Sequence, residues 1–222
     1  MSTYQEELVD RYLLRILEVN QTINLTRITD IKSARMLHIE DSLSVLDEMN
    51  ASPTGLYGDL GSGGGFPGVP LGIYSERKTM LIDSVKKKMS AVQGIINELA
   101  LDDEISTYAG RIEELSQEYR GKFSVLTARA LSSLPSLIEL ASPLLVDSGH
   151  LICLKSQADE EEISQAKELE ELVGMKLIKE RDFYLSDGET YRRIFVFEKS
   201  SEPEIILPRR IGMAQKKPLQ KK

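Results

Sequence analysis

Apolar positions along this chain follow two regimes. In the first 54 residues they recur at helical spacing. Leu8, Tyr12, Leu13, Ile16 and Leu17 share one face of a helix expected over 4–20, and Met36, Leu37, Leu43, Val45 and Leu46 mark a second that begins near Asp30. The polar corner Asn24-Leu25-Thr26 separates them. From about residue 55, short apolar runs alternate with longer helical stretches. Strands are expected at 56–60, 78–82, 104–108, 123–128 and 149–155, and helices at 67–74, 84–100, 111–119, 133–146 and 158–172. Such alternation predicts a parallel sheet with helices on both faces, because each parallel crossover needs a helix to cover the sheet. Runs at 175–184 and 190–198, separated by Leu185-Ser186-Asp187-Gly188-Glu189, read as an antiparallel hairpin turning at Asp187-Gly188. The expected architecture is α/β: a seven-stranded Rossmann-like sheet, mostly parallel, closed by a C-terminal antiparallel hairpin and preceded by a helical extension. It divides into a helical cap over 1–54, a main domain over 55–200 and a tail over 201–222.

Composition narrows the class. With 41% hydrophobic and 28% charged residues the chain can bury an ordinary globular core. No apolar run approaches the roughly 20 residues that span a bilayer, and the first residues lack the basic-then-apolar order of a signal peptide. The cytoplasm is therefore the expected compartment, without a membrane partner, and the absence of an obvious oligomerisation helix points to a monomer. The single cysteine, Cys153, stands in the apolar run Leu151-Ile152-Cys153-Leu154 and reads as strand packing. Two histidines far apart in sequence make a poor metal set, so no metal is expected. A net charge of −7 argues against a phosphate-rich partner. Its distribution softens the point: Pro208–Lys222 carries six cations (Arg209, Arg210, Lys216, Lys217, Lys221, Lys222) and no acid, leaving −13 on the rest. A basic tail on an acidic body either concentrates RNA contacts or is simply solvated.

The chemistry centres on Gly58-Asp59-Leu60-Gly61-Ser62-Gly63-Gly64-Gly65-Phe66-Pro67-Gly68, which follows a strand and opens a helix. Five glycines in the eight residues from Gly61 to Gly68 let the backbone turn sharply and approach a ligand, and the helix beyond offers free amides. A nucleotide-like cofactor is the expected occupant. Gly63, Gly65 and Gly68 also match the dinucleotide fingerprint, with Asp83 standing 20 residues beyond Gly63. Two features favour S-adenosylmethionine over a nicotinamide. Asp59 precedes the loop, where it could meet a cationic methionine end, and the sheet ends in a hairpin instead of a second nucleotide-binding half. Asp83 suits a ribose hydroxyl in either case, or caps the following helix.

These residues, together with Leu81-Ile82-Asp83-Ser84, Lys87 and Lys88, Arg129-Ala130, Leu154-Lys155, the upstream His38-Ile39-Glu40-Asp41-Ser42-Leu43 and the tail's Pro208-Arg209-Arg210, follow one another as in the RsmG, or GidB, family. The chain resembles these bacterial 16S ribosomal RNA guanine-N7 methyltransferases from about Asn24 to Leu219. The resemblance implies a class I methyltransferase fold, S-adenosylmethionine in the glycine loop, and a substrate guanine in the 530 loop of 16S RNA or of a partly assembled small subunit. It also places Gly61 and Phe66 against the cofactor, Ile112 and Glu113 beside its adenine, and Arg129 at the pocket from the end of the fourth strand. Each has a plainer alternative: Phe66 and Ile112 as packing, Glu113 as a first-turn acid, Arg129 as a buried charge needing a partner.

A sulfonium methyl is electrophilic and guanine N7 carries a free lone pair at neutral pH, so alignment suffices and no catalytic acid or base is expected. N7 lies in the deep groove of an RNA duplex, so the target must be unpaired or extruded. Candidate RNA contacts are Arg35, His38, Lys155, Arg129, Arg209 and Arg210. Asn24, Thr26, Asp41 and Ser42 read as local hydrogen bonding that fixes the helical cap. Two rival readings remain: a nicotinamide-dependent oxidoreductase, and a non-catalytic RNA-binding or assembly protein on the same fold.

Overall fold

The computed structural model describes residues 3–157 and 159–220. Ala158, Lys221 and Lys222, which fall within the expected 158–172 helix and the basic tail, lie outside them. The chain opens with α1 (Thr3–Val19), followed by a broken helical stretch: α2 (Ile31–Ala34), a π-helical turn (Arg35–Glu40), α3 (Asp41–Leu43) and α4 (Leu46–Ala51). Then come β1 (Leu56–Leu60), α5 (Gly68–Ser75), β2 (Thr79–Asp83), α6 (Lys86–Glu98), β3 (Ile105–Ala109), α7 (Ile112–Glu118), β4 (Phe123–Arg129), α8 (Leu134–Ala141) and β5 (Leu145–Lys155). The chain continues through α9 (Glu160–Glu168), α10 (Glu170–Val173), β6 (Met175–Tyr184), β7 (Tyr191–Lys199) and α11 (Met213–Lys216).

The seven strands form one sheet in the order β3-β2-β1-β4-β5-β7-β6. β1 to β5 pair in parallel, while β7 runs antiparallel to both β5 and β6. Strand order reverses between β1 and β4, which is where doubly wound sheets open a crevice at their carboxyl ends. The α/β architecture with a hairpin edge is thus as expected. Two boundaries differ. The helix expected over 133–146 ends at Ala141, and β5 takes Leu145 onward. The helix expected from Asp30 starts as a helix, since Asp30 caps Ser33 N at 2.8 Å, but widens into the π turn at Arg35.

Neighbouring residues of a buried parallel strand face opposite layers, so β2 sends Leu81 to one core and Ile82 to the other. The Leu81 side is covered by α5, α6 and α1, whose Leu8, Val9, Tyr12, Leu13 and Ile16 pack with Phe66, Val69 and Val92. The helical cap therefore has no core of its own; its apolar stripe completes one layer of the main sheet. The tail also folds. Leu207 and Ala214 join the opposite core, and Arg209 clamps Glu139 of α8 through bonds of 2.7 and 2.6 Å. Neither the solvated nor the free RNA-binding tail matches this arrangement, because a carboxylate only 2% exposed needs the counter-charge Arg209 brings.

Candidate functional site

The carboxyl ends of β1, β2 and β3 open onto a small cleft, of about 80 Å³, lined by Gly61, Asp83, Gly110, Ile112, Glu113 and Gln215, among others. Gly61, the first glycine of the loop, lines it directly. Gly61, Gly63 and Gly65 take φ of +73°, +56° and +83°, values that a side chain would strain. A Cβ on Gly61 would also lie 2.7 Å from Leu131 Cδ1. Asp83 holds the loop: its Oδ2 accepts from Gly63 N at 3.0 Å and its Oδ1 from Val85 N at 2.8 Å. A carboxylate has about four lone pairs, so Asp83 shapes the turn and still presents acceptors to the cleft.

Asp59 behaves differently from the expectation that it meets a cationic ligand. It is fully buried, and its two oxygens accept from Gly68 N at 3.0 Å and Thr127 Oγ1 at 2.7 Å. Burial raises its carboxyl above the usual range. Its work is to tie the loop to β4 from behind. Phe66 likewise turns inward, 5% exposed, stacked on His38 at 4.5 Å and edge-on to Tyr12 at 5.6 Å. Tyr12 donates to Gly64 O at 2.9 Å, so the N-terminal helix also braces the loop.

A second cleft, of about 310 Å³, lies beside the first over the ends of β4 and β5, lined by Asp41, Arg129, Lys155, Ser156 and Arg192. Asp41, 2% exposed, accepts from Arg129 at 2.9 Å and from Arg192 at 2.8 Å. Arg129 also donates to Leu37 O at 2.9 Å and reaches Phe66 O at 3.4 Å, binding the π turn, β4 and the glycine loop together. The π turn permits this by placing His38 inward. His38 contacts Thr26 Oγ1 at 2.8 Å, and burial, then the Arg129 charge, pushes its pKa down to about 4. It is neutral at pH 7.

The sequence-expected residues therefore separate into groups. Gly61, Asp83, Ile112 and Glu113 gather on the first cleft; Arg129 and Lys155 on the second. Gly63 and Gly65 shape the loop. Lys155 is paired with Glu162 at 2.8 Å. Of the expected RNA contacts, His38 is instead packed inside at 7% exposure and Arg209 is spent on Glu139. Arg35 is exposed and paired with Asp10, while Arg210 stays exposed on the folded tail. Sequence reasoning missed Arg192 and Gln215. Arg192 could have been suspected from two adjacent arginines ahead of the apolar run Ile194–Phe197, but Gln215 carried no signal.

A family model described as rRNA small subunit methyltransferase G matches residues 5–183. Two relatives named Ribosomal RNA small subunit methyltransferase G, from Streptococcus pyogenes serotypes M49 (strain NZ131) and M1, are 35% identical over 223 residues, covering 99% of this chain and 93% of each relative. The chain belongs to the rRNA small subunit methyltransferase G family. Among solved structures, a putative transferase from Pyrococcus horikoshii is similar at TM-score 0.56 and 13% identity, covering 71% of this chain and 63% of that one. A Bacillus subtilis M1A22 tRNA methyltransferase follows at TM-score 0.54 and 15% identity, covering 73% and 66%. At such identities the likeness speaks for the fold alone, and it is a methyltransferase fold. A member of the rRNA small subunit methyltransferase G family with an intact glycine loop is an S-adenosylmethionine-dependent enzyme, and the oxidoreductase reading drops away.

Proposed function

We propose that the protein transfers the methyl group of S-adenosylmethionine to N7 of a guanine in the 530 loop of 16S ribosomal RNA, as a monomer in the cytoplasm. What supports this reading is the pair of adjoining clefts on the carboxyl edge of the sheet, the first bordered by Gly61 and Asp83 and the second by Arg129, Lys155 and Arg192. The first fits the cofactor by its donor set. Asp83 offers acceptors suited to a ribose diol, Gly61 leaves the backbone bare, and Ile112 and Leu131 supply apolar contact for a purine face. When bound, S-adenosylmethionine supplies an electrophilic methyl group on a sulfonium.

The residues of the chain bind and orient. Arg129 and Arg192, held side by side by the single buried charge of Asp41, leave a net cationic surface for an RNA nucleotide, while Lys155 at the end of β5 is balanced by Glu162. Guanidinium planes also suit stacking against an extruded base. Guanine N7 needs no deprotonation, and His38, the nearest imidazole, is neutral and packed, so no side chain here has to move a proton. Exclusion of water and alignment are what the fold provides. The test is methyl transfer from labelled S-adenosylmethionine to 16S RNA and to small subunits from cells lacking this gene, followed by nucleoside analysis. A single 7-methylguanosine is the expected product; transfer to another base, or none despite cofactor binding, would refute the reading.

A further inference from the structure

The segment after β7 enters the cofactor cleft. Four attachments fix it to α7 and α8. Leu207 is 2% exposed in the core, Arg209 clamps Glu139, Ser136 Oγ donates to Ala214 O at 2.7 Å, and Gly212 N donates to Glu113 Oε1 at 2.6 Å. Ala214, 2% exposed, anchors α11 beneath. The next residue, Gln215, is solvent-accessible and lines the first cleft together with Gly110, Ile112, Glu113 and Leu140.

We infer that this arm is a wall of the cofactor site and that the Gln215 carboxamide reads the adenine edge. The inference rests on the cofactor reading above and adds a specificity residue to it. Asp83 marks the ribose position at the end of β2, so the residues after β3, Gly110 to Glu113, border the base. Glu113 alone is a poor reader of adenine. One of its oxygens is taken by Gly212 N–H, and a carboxylate can only accept. Gln215 supplies the complement. A carboxamide carries one donor and one acceptor side by side, the pattern that pairs with an adenine amino group and its neighbouring ring nitrogen. The arm also positions Glu113, because the Gly212 N–H ties one oxygen of that α7 side chain to the arm.

Gln215→Ala is the variant to examine, with calorimetry against S-adenosylhomocysteine and against S-inosylhomocysteine, whose 6-oxo group replaces the amino group. The unaltered protein is expected to prefer the adenosyl compound by about tenfold or more, and the variant to lose about tenfold in adenosyl affinity with under about twofold change for the inosyl one. Since Gln215 is exposed, the ligand-free thermal midpoint of the variant stays where it was, and RNA affinity is unchanged. Undiminished adenosyl affinity with full discrimination in Gln215→Ala would overturn the inference. Failure of the unaltered protein to bind S-adenosylhomocysteine at all would instead overturn the cofactor reading beneath it.

Discussion

Replacing Asp41 by Asn removes one charge and almost no volume at the point where three parts of the chain meet. The carboxylate is 2% exposed, and the two guanidiniums it joins, Arg129 and Arg192, are 17% and 15% exposed. Taking away the buried partner leaves both cations facing each other across a neutral amide. Breaking a buried ion pair in this way typically costs about 3–5 kcal/mol. Arg129 keeps Leu37 O as an acceptor at 2.9 Å and Arg192 keeps Tyr191 O at 2.9 Å, so the lower end applies. A loss of about 3 kcal/mol in a domain of this size lowers the thermal midpoint by about 6–12 °C. Urea unfolding of Asp41→Asn, Arg192→Met and the double variant measures it. The double variant should recover part of the loss, because it no longer confines two unpaired cations. A change below about 1 kcal/mol for Asp41→Asn, additive with Arg192→Met, would show that the cluster does not hold the cleft together.

His38 gives a pH signature. Its folded value of about 4 lies below the ordinary 6.5, so the unfolded chain takes up the proton first. The stability it contributes is whole above pH 6.5 and erodes by about 3 kcal/mol as pH falls to about 4. His38→Phe should lack that slope in urea titrations between pH 4 and 7.5, and equal slopes in the two proteins would refute the assignment. Arg209→Met is expected to cost about 3 kcal/mol by stranding the buried Glu139, whereas Arg210→Met, altering an exposed side chain, stays within about 0.5 kcal/mol; matching unfolding midpoints would contradict the folded tail. Asp83→Ala should weaken S-adenosylhomocysteine by about 10- to 100-fold, the worth of hydrogen bonds to a charged group, measured by calorimetry; unaltered affinity would remove Asp83 from the site.

The sheet was largely legible in the chain. Apolar runs bounded by turn residues locate β1 at 56–60 without error and the hairpin strands to within a residue, because strand burial leaves a direct trace in composition. The turns of the glycine loop could be read for a different reason: positive φ and close backbone approach restrict which residues serve. Less visible was everything decided by partners distant in sequence. The π turn at Arg35–Glu40 has no compositional mark, since one extra residue per turn is fixed by what His38 and Leu37 O must reach. Asp59 and Phe66 carry the residue types of ligand contacts yet face inward, a distinction of orientation that spacing cannot make. The tail's charges left RNA contact and solvation open and gave no hint of a folded arm, because Glu139, the acid that pairs with Arg209, stands 70 residues earlier in a helix that reads as apolar.

The Asp41 junction also bears on the order in which the molecule assembles. Its bond to Arg129 closes a separation of 88 residues and that to Arg192 one of 151. Closing such loops early carries an entropic cost with little return until the intervening sheet exists. The junction is therefore expected to form after the rate-limiting barrier, with its contacts absent from the transition state. Weakening it should leave the refolding rate nearly untouched and appear as faster unfolding. On this expectation the cluster that lines the second cleft bears on the lifetime of the native state more than on the speed of reaching it.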